Sequence, residues 1–424
     1  MENILDITQQ DVQDSSIISY QYYEFNPQIG NSLNTPGEIV IQVYPQDEYF
    51  HPAESFLLFE GAIVKADGNA IGKTDAVTFT NNGMLYLFRL IQYQLNGTEI
   101  ESIYSPGQAT TIKKLLKNTK DSPGLLSCWE KDTSVLLTAT DNDGFKIRKA
   151  YTSVDPVPPG TFSFIVRLSD IFGFAEDYNK VIYGMRQTIR LVRKGDDDAL
   201  LRNATSATTD LKVNLEKISF VTAIVKPDDE HKMKLYNTIK SKELINLRFH
   251  EHCLETIQLP VSREVTWKLG VRNTRPRYII FALQTDKGED QTKNSSLFDH
   301  CKLTNLYVTL NSQRYPEVDY DMDFAKMKFA RIYQDTMTFF NDYYSVDPII
   351  TGPQLSPVEY HKLYPIFAID LTKQPERIKE PIIDVTLKAF FKENVAANTH
   401  AFALIISEKL IKLQSDGEKF NIVY

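Results

Sequence analysis

Polar and apolar residues alternate with period two along most of the chain. In EIVIQVY, Ile39, Ile41 and Val43 share one face, and in TFSFIVRL so do Phe162, Phe164, Val166 and Leu168. In LINLRFH, Ile245, Leu247 and Phe249 point one way while Asn246, Arg248 and His250 point the other. REVTWKL, NLYVTL and IIDVTLKAFF repeat the pattern, the last through Ile383, Val385, Leu387 and Ala389. Successive strand side chains face opposite ways, so this alternation predicts sheets with one face in a core and one face wet. Helical spacing interrupts it over 108–118, where Ile112, Leu115 and Leu116 align, and over 327–344, where Phe329, Ile332, Tyr333 and Phe340 do. A polar stretch at 228–243 reads as a short helix on a connection.

Two stretches, LIQYQLNGTE (90–99) and NLYVTLNSQR (305–314), say nearly the same thing. Ile91, Tyr93, Leu95 and Asn96 correspond to Leu306, Val308, Leu310 and Asn311, with a helix following each copy. Asn-Gly supplies the positive φ values of a tight hairpin turn, and Asn-Ser is a weaker version. The offset of 215 residues is about half of 424, which points to two copies of one β-domain. A single sheet of so many strands would expose an apolar face that two facing sheets bury. About eight strands per half fits a jelly roll. The expected fold is all-β: two tandem eight-stranded jelly rolls with short helices on the connections. The expected division is an N-terminal arm at 1–18, a first jelly roll at 19–200 and a second at 201–424. KGDDDALLRNATSATTD (194–210) is the expected linker.

Composition changes the picture little. Apolar content of 42% with 24% charged is ordinary for a globular chain, and 24 Phe with 22 Tyr favour strands. A net charge of −8 argues against tight nucleic-acid binding, which needs clustered cations. Lys113, Lys114, Lys117 and Lys120 form the best basic patch and read as the solvated side of a helix. Cys128, Cys253 and Cys301 are few and far apart, which fits a reducing compartment rather than a disulfide framework or zinc site. MENILDITQQDVQDSS lacks a signal-peptide apolar stretch, so the expectation is a protein made in the cytoplasm or nucleus and not secreted. No run approaches the length needed to span a bilayer. The glycosylation patterns at Asn96, Asn203 and Asn294 read as chance matches.

Three motifs look like chemistry. GNAIGKT (68–74) has three residues, not four, between its first Gly and Gly-Lys-Thr, and no helix follows, so it reads as a hairpin loop rather than a phosphate loop. TATDNDGFKI (138–147) has Ala139 and Ala150 where a calcium loop needs oxygen ligands, and reads as a turn. His250-Glu251-His252 puts two imidazoles on one strand face, as a bicupin-like iron or zinc enzyme would. Glu255 arrives one residue early for a third ligand, and the first half has no matching pair. His250 and His252 are therefore expected to be surface or interface residues. No catalytic, cofactor-binding or metal site is assigned, and the chain is read as not an enzyme. The bicupin-like metal-dependent enzyme is the alternative.

Several stretches resemble the double jelly-roll major capsid proteins of Polinton/Maverick elements and adintoviruses, in the adenovirus-hexon-like lineage. One is IVRLSDIFGFAEDYNKVIYGMRQTIRLVRKGDDDAL (165–200), with Phe172-Gly173-Phe174 before Glu176-Asp177-Tyr178. Others are FRLIQYQLNGTEIE (88–101), WKLGVRNTRPRYIIFALQTDK (267–287) and NSSLFDHCKLTNLYVTLNSQRYP (294–316), the last carrying Phe298-Asp299-His300-Cys301. The resemblance implies a structural capsid protein forming homotrimers of pseudo-hexagonal outline that tile an icosahedral shell. It implies neighbouring capsomers and a single jelly-roll penton protein as partners, the virion as location, and no cofactor. A host-coopted element-derived capsid protein is a further alternative. The chain is far shorter than hexon, leaving no room for tall tower loops. Phe172 and Phe174 are expected to anchor a loop in the core, and Glu176 and Asp177 to cap a short helix. Arg193 with Asp196, Asp197 and Asp198 reads as a solvated loop or a subunit contact. The arm (1–18) and KFNIVY (419–424) are the candidates for reaching a neighbour.

Overall fold

The computed structural model describes residues 16–28, 30, 32–44, 48–118, 124–205, 210–242, 244–270, 275–347, 355–373, 384–415 and 420–423. Strands and helices are numbered in chain order. Among these residues the strands form two pairs of facing sheets and one small ribbon.

In the first half, β1 (Ile17–Phe25), β11 (Leu211–Pro227), β3 (Tyr49–Lys65) and β7 (Thr161–Arg167) lie side by side in that order, with the short β8 (Ile182–Tyr183) on β3. The facing sheet runs β2 (Gly37–Val43), β9 (Gln187–Arg193), β5 (Phe88–Leu95), β6 (Thr98–Tyr104). In the second half, β12 (Leu244–Gln258), β19 (Thr399–Ser415), β14 (Arg275–Thr285) and β17 (Ile366–Asp370) form one sheet, with β20 (Phe420–Val423) on β19. Its partner runs β13 (Glu264–Leu269), β18 (Val385–Phe391), β15 (Leu303–Leu310), β16 (Gln313–Tyr315). Read in chain order, each half interleaves eight principal strands between its sheets in the same way, and every pairing is antiparallel. This is a jelly roll, twice over. A ribbon of β4 (Val77–Phe79) and β10 (Leu200–Arg202) is added to the first copy.

The alternation read from the sequence is the alternation of burial. Ile39, Ile41 and Val43 of β2 are buried, as are Phe162, Phe164 and Val166 of β7, whose Ser163, Ile165 and Arg167 are exposed. Fully burying one such side chain contributes about 1.5–3 kcal/mol. Buried apolar residues of both halves form one contiguous main core, with Leu137, Phe145 and Leu201 in a small cluster apart from it. The repeated stretch is the hairpin β5–β6 in one copy and β15–β16 in the other. Both turns have positive φ at both central residues: Asn96 50° and Gly97 83°, Asn311 43° and Ser312 73°. That double left-handed turn matches the twist of the flanking strands.

Among the described residues, eight α-helices occupy the connections: α1 (Gly83–Tyr86), α2 (Pro106–Lys117), α3 (Asp143–Lys149), α4 (Leu168–Ile171), α5 (Gly173–Asp177), α6 (Asp229–Lys240), α7 (Ala330–Tyr344) and α8 (Pro357–Lys362). The helix expected at 108–118 is α2, that at 327–344 is α7, and the polar one is α6, N-capped by Asp228, which accepts a 2.8 Å bond from the His231 amide.

Several expectations need correction. The strand at 211–227 lies beyond the expected boundary at 200/201, yet it pairs with β1 and β3 of the first jelly roll. Without it β1 would be cut off from β3 and β7 in the first sheet. We therefore propose that the first unit runs to Pro227, with α6 as the connection. Of the supposed linker, the described stretch 194–205 packs into the fold and includes β10: Leu200 and Leu201 are fully buried, and the Arg193–Asp196 and Lys194–Asp198 pairs each close at 2.5 Å. Ile17 and Ile18 of the expected arm already belong to β1. Of KFNIVY, Phe420–Val423 folds back on Lys412–Ser415 of its own chain. Residues 1–15, Lys120, Ile383, Lys419 and Tyr424 lie outside the described residues.

Candidate functional site

The charged and polar groups that the sequence singles out converge on the seam between the two jelly rolls. α2 enters with Pro106 at its first turn, and every residue from Pro106 to Leu116 is buried. Packing against α7 and β19 covers the face that was expected to be solvated. A lysine so enclosed needs a partner, because an unpaired buried charge is strongly unfavourable. The lysine run is therefore an internal ion network. Lys113 lies 2.9 Å from Glu176, Lys117 lies 2.9 Å from Glu176 and 3.5 Å from Asp170, and Lys114 lies 3.3 Å from Asp170. The Lys113 ammonium also donates to the Ser169 carbonyl at 3.1 Å. Burial opposes ionisation of Glu176, but Lys113 and Lys117 outweigh it and hold the carboxyl at about 2. Asp170 behaves likewise, at about 2, with Lys114 and Lys117 prevailing over burial. Glu176 is thus an ion-pair partner rather than the expected helix cap.

Glu101 of β6 fastens this network to the second jelly roll. Its buried carboxylate accepts the amides of Gly173 at 3.1 Å, Phe174 at 3.0 Å and, across the seam, His252 of β12 at 2.8 Å. Burial raises its carboxyl to about 7, the three amide bonds pulling the other way. Gly173 is required here: a Cβ on it would stand 1.6 Å from the His250 carbonyl oxygen. Phe172 and Phe174 anchor the loop in the core as expected, Phe174 meeting Phe249 of β12 edge-on at 5.3 Å. Lys409 of β19 adds a 2.6 Å bond to the Ile100 carbonyl and a 2.6 Å pair with Glu251.

His250 and His252 belong to this seam and not to an outer surface. His250 is half-buried; its amide and ring both meet Asp177, at 2.7 and 2.8 Å. His252 is buried, its ring 3.4 Å from the Tyr343 hydroxyl. Burial first, then Lys113, pushes its pKa well below the ordinary value. Among the described residues no group of three or more His, Cys, Asp or Glu is arranged to hold a metal ion.

A second fastening lies elsewhere on the seam. Arg148 and Asp132, both buried, pair at 2.7 Å. Asn142 caps α3 by accepting the Phe145 amide at 3.2 Å and donates to Asp132 at 2.9 Å, so the presumed turn at Asp141–Gly144 opens a helix. From the second jelly roll, Asn294 donates to Asp132 at 2.7 Å and Tyr364 to the Asp132 carbonyl at 3.0 Å. The Asp-rich loop is part of this contact: Asp198 accepts the Glu289 amide at 2.8 Å and Asp197 the Gln291 side chain at 2.8 Å. Asn294, Ser295 and Ser296, a glycosylation pattern in the sequence, are buried.

Two jelly rolls in one chain is an architecture with known kin. The family model of the double jelly roll-like domain matches residues 77–411. The chain belongs to that family. Among solved structures, a chain of the Sputnik virophage is similar with a TM-score of 0.62 at 14% identity, over 100% of this chain and 92% of that one. The Faustovirus major capsid protein gives 0.56 at 10% identity, over 95% and 92%, and the mavirus major capsid protein 0.52 at 10%, over 100% and 92%. At these identities the likeness is one of fold. No curated protein matches the sequence.

Within this double jelly roll-like chain, sequence reasoning missed Glu101, Asp132, Arg148 and Asn294. Glu101 left one faint trace: it breaks the apolar rhythm of TEIESIY between Ile100 and Ile103. Across the seam, Glu101 engages backbone amides and Asp132 engages Arg148, Asn142 and Asn294.

Proposed function

We propose that this chain is a major capsid protein, of the Polinton/Maverick–adintovirus type, in which three copies form a pseudo-hexagonal capsomer. The observation that carries the reading is the pair of jelly rolls with one strand order, held together by a buried seam. Three copies bring six similar jelly rolls around one axis, which imitates a hexamer only if each pair keeps a fixed geometry. An intrachain joint of buried ion pairs and amide bonds provides that stiffness. Support for the lineage comes from the motifs at 165–200 and 294–316.

On this reading the capsomers meet one another across weaker contacts that allow correction during assembly, and a single jelly-roll protein fills the vertices. The protein is structural and not an enzyme, resides in the virion, and binds the genome at most loosely, consistent with a charge of −8. Three free cysteines accord with production in a reducing compartment. Negative-stain electron microscopy of the purified protein tests the reading. Six-lobed particles of pseudo-hexagonal outline are expected; isolated two-lobed particles at every concentration would overturn it.

A further inference from the structure

Where α6 crosses from one jelly roll to the other, the packed elements leave a cavity of about 480 Å³. Small-ligand sites range over roughly 300–1,000 Å³. Its walls include Tyr49 and Tyr183 from the first jelly roll, Leu235 and Ile239 from α6, and Ile245 and Phe420 from the second. Such a lining offers water few partners and favours an apolar guest. Among the described residues that line it, one carries a charge: Lys180, exposed to solvent, with no acid beside it in the lining.

We propose that this cavity binds a single long-chain fatty acid, its hydrocarbon between α6 and the two jelly rolls and its carboxylate at Lys180. The apolar walls select the chain, and Lys180, the one cation among the described lining residues, selects an anionic head. A two-chain lipid is too bulky for this volume. A guest touching both jelly rolls and their connection binds the folded state alone, so it raises the melting temperature as its concentration rises.

Calorimetric titration of the intact protein with palmitate, and with the alcohol of the same length, tests this. Saturable binding of one palmitate per chain is expected. Lys180→Glu should weaken palmitate at least tenfold while leaving the alcohol unchanged, and Ile245→Trp should fill the cavity and abolish both. A thermal melt checks that the variants fold; if Ile245→Trp does not, Leu235→Trp on α6 replaces it. Absence of saturable palmitate binding to the unaltered protein would overturn the proposal. So would palmitate binding that survives a folded cavity-filling variant, or attachment to phospholipid vesicles without uptake of free palmitate.

Discussion

At Gly173 the two jelly rolls come within one methyl group of collision. Gly173→Ala has to part α5 from β12 and loosen the amides held by Glu101. We expect a loss of about 3 kcal/mol, in the range of overpacking changes, seen as a lower denaturation midpoint. Glu176→Gln leaves buried Lys113 without its carboxylate and Lys117 with Asp170 alone, and should cost roughly 3 kcal/mol near neutral pH. The pH dependence has a definite sign. With its carboxyl lowered from 4.5 to about 2, Glu176 contributes fully above about pH 4.5, and that contribution is lost as pH falls through 2. Acid titration of stability should therefore be shallower in Glu176→Gln than in the parent. Glu101 acts in the opposite sense: raised to about 7, its contribution is complete below about pH 4.5 and is lost as pH rises through 7. None of this was legible along the chain. A lysine at every turn of a helix looks solvated when its acids lie more than fifty residues away in sequence, as Asp170 and Glu176 do.

At the scale of elements, the sequence was far more readable. Strand alternation, the twin hairpins and the positions of α2, α6 and α7 follow from side-chain period and turn chemistry, which are local. What failed was pairing. β11 looks like the start of a second domain because nothing within it reveals that its partners, β1 and β3, lie far upstream. The Asp-rich loop looked solvated because its hydrogen-bonding partners near Gln291 come from the other half. The twin turns also make a prediction. Ser312 sits at φ 73° where its counterpart is Gly97. A side chain is strained there and glycine is not. Ser312→Gly should stabilise the protein by about 0.5 kcal/mol, and Gly97→Ala should destabilise it by about 1 kcal/mol, both read from equilibrium unfolding.

For the molecule as a whole, the seam makes the two jelly rolls one folding unit. The first jelly roll expressed alone, residues 1–242, would expose the contacts of Glu101, Asp132 and α2, and should aggregate or be rapidly proteolysed where the intact chain resists. The same rigidity underlies the proposed assembly, since a pseudo-hexamer built from three flexible pairs would lose its outline. The native mass in solution, measured by light scattering, tests this most directly. A particle near three times 48.6 kDa, or a far larger shell, is the predicted result. A monomer that persists at high concentration would contradict it.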